Sequence, residues 1–308
     1  MEMVQSSAQK QQLRLLVMAL LLALLSLFGC SQSHAEGKSF SLPEHILTSR
    51  FNEEAATQNN DAFIDVSEAH LGYFGARAVN PARLKLQVRS GDMSYNYDLP
   101  SDGTPIVVPV NMGNGHYEVR VMQNTSGTNY VELASVETDV TLDSEFDPYL
   151  RPNLFCTYTD ESSCVSEART LCADAQNQGE AVQAVCSYII ENVTYDQEKA
   201  DALESVSGYV PNPDETLSSG KGICFDYASL GAAMLRSLGI PCRIVTGYVS
   251  PGELYHAWIV IYIDGEWQTA HFSVDQNTWS RVDLTFAAAS SPLEYVGDGK
   301  TYTDRYTY

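Results

Sequence analysis

The sequence predicts an α+β protein in which a small β-sandwich precedes a core of helices packed on an antiparallel sheet. Two observations carry that reading. From about Asn60 to Leu142 short alternating apolar runs are separated by turn-forming residues, and after about Ser166 the spacing becomes helical before strands return at Arg243. A chain of 308 residues, 44% of them apolar, has the length for two domains and the material for their cores. The expected division is a leader over 1–29, a tether over 30–59, the sandwich over 60–150 and the helix-and-sheet domain over 151–308.

In the leader, Lys10 and Arg14 precede the apolar run LLVMALLLALLSLF, Leu15 to Phe28. That run is shorter than the roughly 20 residues a spanning helix needs, so it reads as an export signal. Leu27-Phe28-Gly29-Cys30 resembles the lipobox of bacterial lipoproteins, which implies a diacyl anchor on Cys30 and the outer face of a bacterial membrane as location. Ordinary signal cleavage nearby is the alternative. Residues 1–29 carry Glu2, Lys10 and Arg14, a net of +1, so their removal takes the formal charge from −21 to −22. Such an acidic chain disfavours nucleic acid and anionic headgroups as partners, leaving the N-terminal lipid as the sole expected membrane contact. In an exported chain Cys156 with Cys164, and Cys172 with Cys186, are candidate disulfides, leaving Cys224 and Cys242 free; sequence alone leaves the connectivity open.

Residues 31–44 are polar and suit a mobile tether. The sandwich strands are expected at 83-RLKLQVRS-90, 105-PIVVPV-110, 116-HYEVRVMQN-124 and 129-NYVELASVETDVTL-142, with SGD, SDG, GNG and SGT turns. His70 and His116 lie in this region without metal-ligand company, and isolated histidines on strands face solvent or support structure. At 146-FDPYLRPN-153 two prolines end the strand pattern. Helices are expected over Ser166–Gln176 and Glu180–Asn192, then a Pro, Gly and Ser-rich loop over 201–220.

The chemistry concentrates after that loop. Gly220 and Gly222 permit a sharp turn into CFDYASLGAAMLRSLG, a helix that Cys224 opens and Gly239 stops, with Asp226 supporting its first turn. Free N–H groups at a helix start favour a thiolate, although a buried inert cysteine is the common alternative. Cys242, entering the strand 243-RIVTGYV-249, suits a small core residue. In 256-HAWIVIYIDGEWQTAHFSV-274, two strands are expected around Asp264-Gly265, with His256, Trp258, Val260 and Tyr262 on one face and Ala257, Ile259, Ile261 and Ile263 on the other. One face is core and the His face is expected to meet the helix. A thiolate nucleophile needs an imidazole to move protons and a carboxylate to orient that imidazole. Asp283, set apart from Val282, Leu284 and Phe286 on an expected strand over 279–286, supplies one, and the tail 295–308 reads as a final edge strand.

These residues together resemble the transglutaminase-like superfamily in its bacterial extracellular branch. Tyr195-Asp196, then GKGICFDYASLGAAMLRSLGIPCRIVTGY, HAW, and Asp283-Leu284-Thr285 carry the resemblance, over roughly residues 155–308. It implies a papain-like core with Cys224 as nucleophile, His256 as general base and acid, and Asp283 as the orienting carboxylate. The chain departs from the family spacing in one place: Trp267-x-x-x leads to His271, and only the second such spacing, from Trp279, ends in an aspartate. Reading this as an inserted hairpin turning at Asp275-Gln276-Asn277 keeps Asp283 in the catalytic place; His271 and Asp275 are the rivals. Animal transglutaminases take an oxyanion donor from an upstream tryptophan, and here every tryptophan follows Cys224, so Tyr195 is the candidate substitute, with helix-end packing as its bland role. The calcium used by some animal members has no recognisable site, and neither metal nor other cofactor is expected.

The expected activity is attack on an amide carbonyl of a protein or peptide, cell-wall associated substrates included, with transfer of the acyl group to an amine or water. Transamidation, deamidation and peptide hydrolysis share this first step. Two alternatives belong to other classes. One is an inactive surface binding or scaffolding protein keeping the fold, and the other is a structural lipoprotein in which Cys224 pairs with Cys242.

Overall fold

The computed structural model describes residues 39–250, 254–263, 267–268, 273–274, 279–289 and 302–308. Two four-stranded antiparallel sheets form first. One has the order β1 (Thr57–Asn59), β2 (Ala62–Asp65), β3 (Tyr73–Ala78), β6 (Ile106–Pro109); the other runs β5 (Met93–Leu99), β4 (Leu84–Ser90), β7 (Gly115–Ser126), β8 (Asn129–Val140). Strict alternation decides the inward set: Leu84, Leu86 and Val88 of β4 and Tyr117, Val119 and Val121 of β7 are buried against Phe74 and Ala76 of β3.

Helices α1 (Ser163–Leu171) and α2 (Gln178–Asn192) follow, then β9 (Thr194–Tyr195), α3 (Gln197–Leu203), α4 (Pro213–Ser219) and β10 (Lys221–Gly222). Part of the expected 201–220 loop is thus helical. Asn212 accepts hydrogen bonds from the N–H groups of Asp214 and Glu215, and Pro213 sits at the first helical position, where its missing donor costs nothing. Helix α5 (Cys224–Ser237) runs through the centre, buried all round from Asp226 to Ser237 rather than on one face. Its polar groups are satisfied locally: Ser229 Oγ donates to Phe155 O, Tyr227 Oη to Val193 O, and the guanidinium of Arg236 to the carbonyls of Cys242, Arg151 and Tyr308.

The third sheet is antiparallel, ordered β15 (Trp279–Val282), β12 (Leu254–Tyr262), β11 (Cys242–Val249), β16 (Tyr302–Thr307). Ala257, Ile259, Ile261 and Ile263 face the helices, while Trp258 and Val260 pack with Val245, Val249 and Tyr302 on the opposite face. Of the face expected to meet the helix, Trp258 and Val260 thus pack away from α5, while His256 interacts with its first residue, Cys224. Short strands β13 (Trp267–Gln268) and β14 (Ser273–Val274) pair antiparallel with each other, and the turn expected at Asp275-Gln276-Asn277 lies outside the described residues. The expected turn at Asp264-Gly265 falls outside the described residues, and β12 pairs with β11 and β15 instead of β13. The strand expected over 279–286 stops at Val282, because Asp283 caps a helix, α6 (Leu284–Ala288), by accepting the Phe286 N–H.

Two further expectations change. Of the stretch read as tether, residues 39–59 are folded: Phe40 N–H donates to Gln176 O, and Phe40, Leu42 and Ile46 pack on the helical core. All six described cysteines are free thiols, so neither expected disulfide is present. Cys156 Sγ faces Ser229 O and Cys172 Sγ faces Ala181 O, each an apolar-core packing position. Nor can Cys224 pair with Cys242: Cys242 bonds to Arg236, over three turns along α5, and a helix rises about 1.5 Å per residue.

Candidate active site

Cys224 is the first residue of α5 and is half-buried. Its position follows from the two-residue parallel ladder of β9 and β10, in which Thr194 N–H donates to Gly220 O and Asp196 N–H to Gly222 O. The same ladder puts Tyr195 opposite Gly222, beside the thiol. Gly220 takes a left-handed φ of 61°, and a Cβ on Gly222 would lie 2.6 Å from Cβ of Asp226, so the turn requires both glycines.

Asp226 is fully buried beneath the turn. It accepts the Ile223 N–H at 2.9 Å, the Tyr209 hydroxyl at 2.5 Å and Lys199 Nζ at 2.8 Å. Burial acts to lower the Lys199 pKa, and Asp226 outweighs it to give a net rise; burial, then Asp226, push the Tyr209 phenol up to about 12. The carboxylate expected to support the helix start therefore also ties down the segment from α3 to Tyr209.

His256 lies on β12 opposite Gly247 and is 4% exposed. Its Nε2 donates to Asp283 Oδ2 at 2.9 Å, its ring stacks on Phe286 at 4.4 Å between centroids, and it interacts with the Cys224 thiol. Burial pushes the imidazole pKa down, but the Asp283 charge and hydrogen bond, with a contribution from Cys224, carry it up to about 10. With Nε2 committed to Asp283, Nδ1 is the nitrogen left for sulfur. Asp283 is saturated by design of its surroundings: Oδ1 takes the Phe286 N–H at 3.0 Å, and Oδ2 also takes the Tyr302 hydroxyl at 2.8 Å.

Cys224, His256 and Asp283 are thus brought into one chain of contacts, and Tyr195 adjoins it, its phenol pKa raised by burial and then by Cys224. His271, Asp275 and Cys30 lie outside the described residues. Tyr302 is the participant sequence reasoning missed; a tyrosine in an edge strand carries no signal for a bond made across the sheet. The other five described cysteines are buried, and burial is the leading cause raising each thiol pKa, to about 11 for Cys156 and Cys172. Among the described residues no group of three His, Cys, Asp or Glu side chains could hold a metal ion.

A cysteine opening a central helix, packed on an antiparallel sheet that bears a histidine, defines the papain-like α+β class. Residues 165–284 match the transglutaminase-like superfamily model, and the chain carries a domain of that superfamily. An uncharacterized protein of Mycobacterium leprae is 28% identical over 169 residues, which are 52% of this chain and 53% of that protein. The mouse kyphoscoliosis peptidase is 30% identical over 127 residues, 37% of this chain and 18% of the peptidase. The chain therefore spans about half of the first relative and under a fifth of the second. A candidate cysteine protease structure from Cytophaga hutchinsonii is 17% identical, with a TM-score of 0.39 over 80% of this chain and 83% of its own.

Proposed function

We propose that the chain is an exported thiol enzyme that attacks amide bonds of proteins or peptides through a thioester. The observation that carries this reading is the His256 imidazole, held between Asp283 and the Cys224 thiol and protonated up to about pH 10. With that proton already on the imidazolium, Cys224 Sγ attacks as the thiolate and forms a bond to the amide carbon while the carbonyl π pair moves onto oxygen. The oxyanion accepts the Cys224 backbone N–H, which has no intrahelical acceptor at this position, and the Tyr195 hydroxyl. The C–N bond breaks as His256 protonates the departing amine, leaving a thioester. Water or a second amine then attacks, gives its proton to His256, and the thiolate leaves with the acyl group transferred. Asp283 keeps Nε2 protonated and the ring in plane. Export through the leader, with Cys30 as the lipid-bearing residue, belongs to the same reading.

Iodoacetamide labelling across pH 4–9, mapped by mass spectrometry, tests it. Cys224 is expected to label first, since burial raises the pKa of the other five described thiols. His256→Ala should slow Cys224 labelling at neutral pH, Asp283→Ala should alter its pH profile, and His271→Ala should leave both unchanged. On a turned-over amide, loss of the proton-transfer group costs about 10²–10⁴-fold. Slow labelling that no substitution changes would return the chain to a binding or scaffolding role.

A further inference from the structure

Cys224 and His256 lie on the wall of a cleft of about 610 Å³, and both the β5-β4-β7-β8 sheet and the β15-β12-β11-β16 sheet contribute to it. Its walls are the end of α3 and the segment after it, with Leu203, Val206 and Val210; the start of β12, with Leu254 and Tyr255; and a seam where Tyr97 of the sandwich meets Phe155 and Tyr308. Ten large apolar side chains are exposed among the described residues, and five of them line this one cleft: Tyr195, Val206, Val210, Leu254 and Tyr255. Such clustering beside a reactive group marks a binding surface, whereas scattered exposed apolar residues mark nothing. Besides the His256 imidazolium, the charged residues of the described wall are Lys85, Asp98 and Glu204. Lys85 is paired with Asp98 at 2.9 Å, Asp98 also takes Arg83, and His256 is paired with Asp283, so both cations of the described wall are already neutralised.

We infer that this cleft is the acyl-donor site and that it selects an uncharged peptide segment with bulky apolar side chains flanking the reacting carbonyl. The inference rests on the thiol-enzyme reading for the identity of the reacting atom, and on the cleft alone for the chemistry of the occupant. A carbonyl placed on Sγ lays the neighbouring side chains against Val206 and Val210 on one wall and Leu254 and Tyr255 on another. An acidic segment would meet Glu204 with no free cation to offset it among the described lining residues. The sandwich, by contributing Tyr97, Asn96 and Lys85, is part of substrate selection and not only a spacer.

The test is anisotropy titration of Cys224→Ala protein, which cannot turn over, with fluorescein-labelled Leu-Phe-Gln-Leu amide and with analogues in which Leu and Phe are replaced by Ser or by Asp. The apolar peptide should bind at least about tenfold tighter than the Ser analogue, as expected for burying even one such side chain, and the Asp analogue should bind weakest. Leu254→Asp and Val206→Asp should each remove about tenfold, while Val131→Asp, an exposed apolar site outside the cleft, should change nothing. Equal binding of the three peptides, or an equal loss in Val131→Asp, overturns the inference. Iodoacetamide labelling of wild type is run beside it: rapid labelling of Cys224 without peptide preference sinks the cleft inference alone. Apolar preference with an inert Cys224 sustains the cleft and sinks the enzyme reading.

Discussion

His256 has an ordinary pKa near 6.5 and is carried to about 10 in the fold, so the folded chain binds its proton more tightly than the unfolded chain does. The coupling stabilises fully below about pH 6.5 and is lost as pH rises through about 10. Asp283→Asn should remove this component of the pH dependence, which urea titrations at pH 6 and pH 10 would detect as a smaller difference between the two. Tyr302 acts on the same proton at one remove. Its hydroxyl draws charge from Asp283 Oδ2, the oxygen that His256 also uses. In Tyr302→Phe that charge is left to the imidazolium, so the alkaline step in Cys224 labelling should move to higher pH. A Tyr302→Phe protein with lower stability but an unmoved step would make Tyr302 a packing residue only.

Helix α5 can begin where it does because a buried carboxylate holds its first turn. Asp226 answers the Ile223 N–H and ties Lys199 and Tyr209 of the preceding segment to the same point. Removing one partner of a buried ion pair leaves the other uncompensated, so Asp226→Ala should lower unfolding free energy by about 3–5 kcal/mol, read by chemical denaturation. Because Lys199 and Tyr209 then lose their attachment, cleft selectivity should fall with it. A loss under about 1 kcal/mol would mean that Lys199, a quarter exposed, finds equivalent solvation. The contrast with α6 is instructive. Asp283 caps a helix of only Leu284–Ala288, and the capping aspartate is also the residue that holds His256, so a strand expectation failed at the site itself.

At the scale of the molecule, the sandwich core and the helix-and-sheet core share a seam. Phe155 packs at the edge of both, against Tyr97 on one side and Phe225 on the other, and Tyr308 stacks edge-on to it at 4.6 Å. Arg236, 1% exposed, reaches the carbonyls of Arg151, Cys242 and Tyr308. A calorimetric scan should therefore give one unfolding transition, and Arg236→Met should lower its midpoint without splitting it; two wild-type transitions would show that the cores melt independently. The sequence by itself determined the local architecture, because the period of apolar residues is a property of neighbours along the chain: alternation in β4 and β7, the helix opened by Cys224 between Gly222 and Gly239, and the order Cys224, His256, Asp283 are all readable there. Only the tertiary structure decided which face of β12 meets α5, that Asp283 ends a strand and caps a helix, that Tyr302 bonds to it, and that the cysteines stay apart. Those outcomes depend on groups far apart in sequence competing for one buried hydrogen bond or one packing volume, and chain periodicity does not encode which competitor arrives.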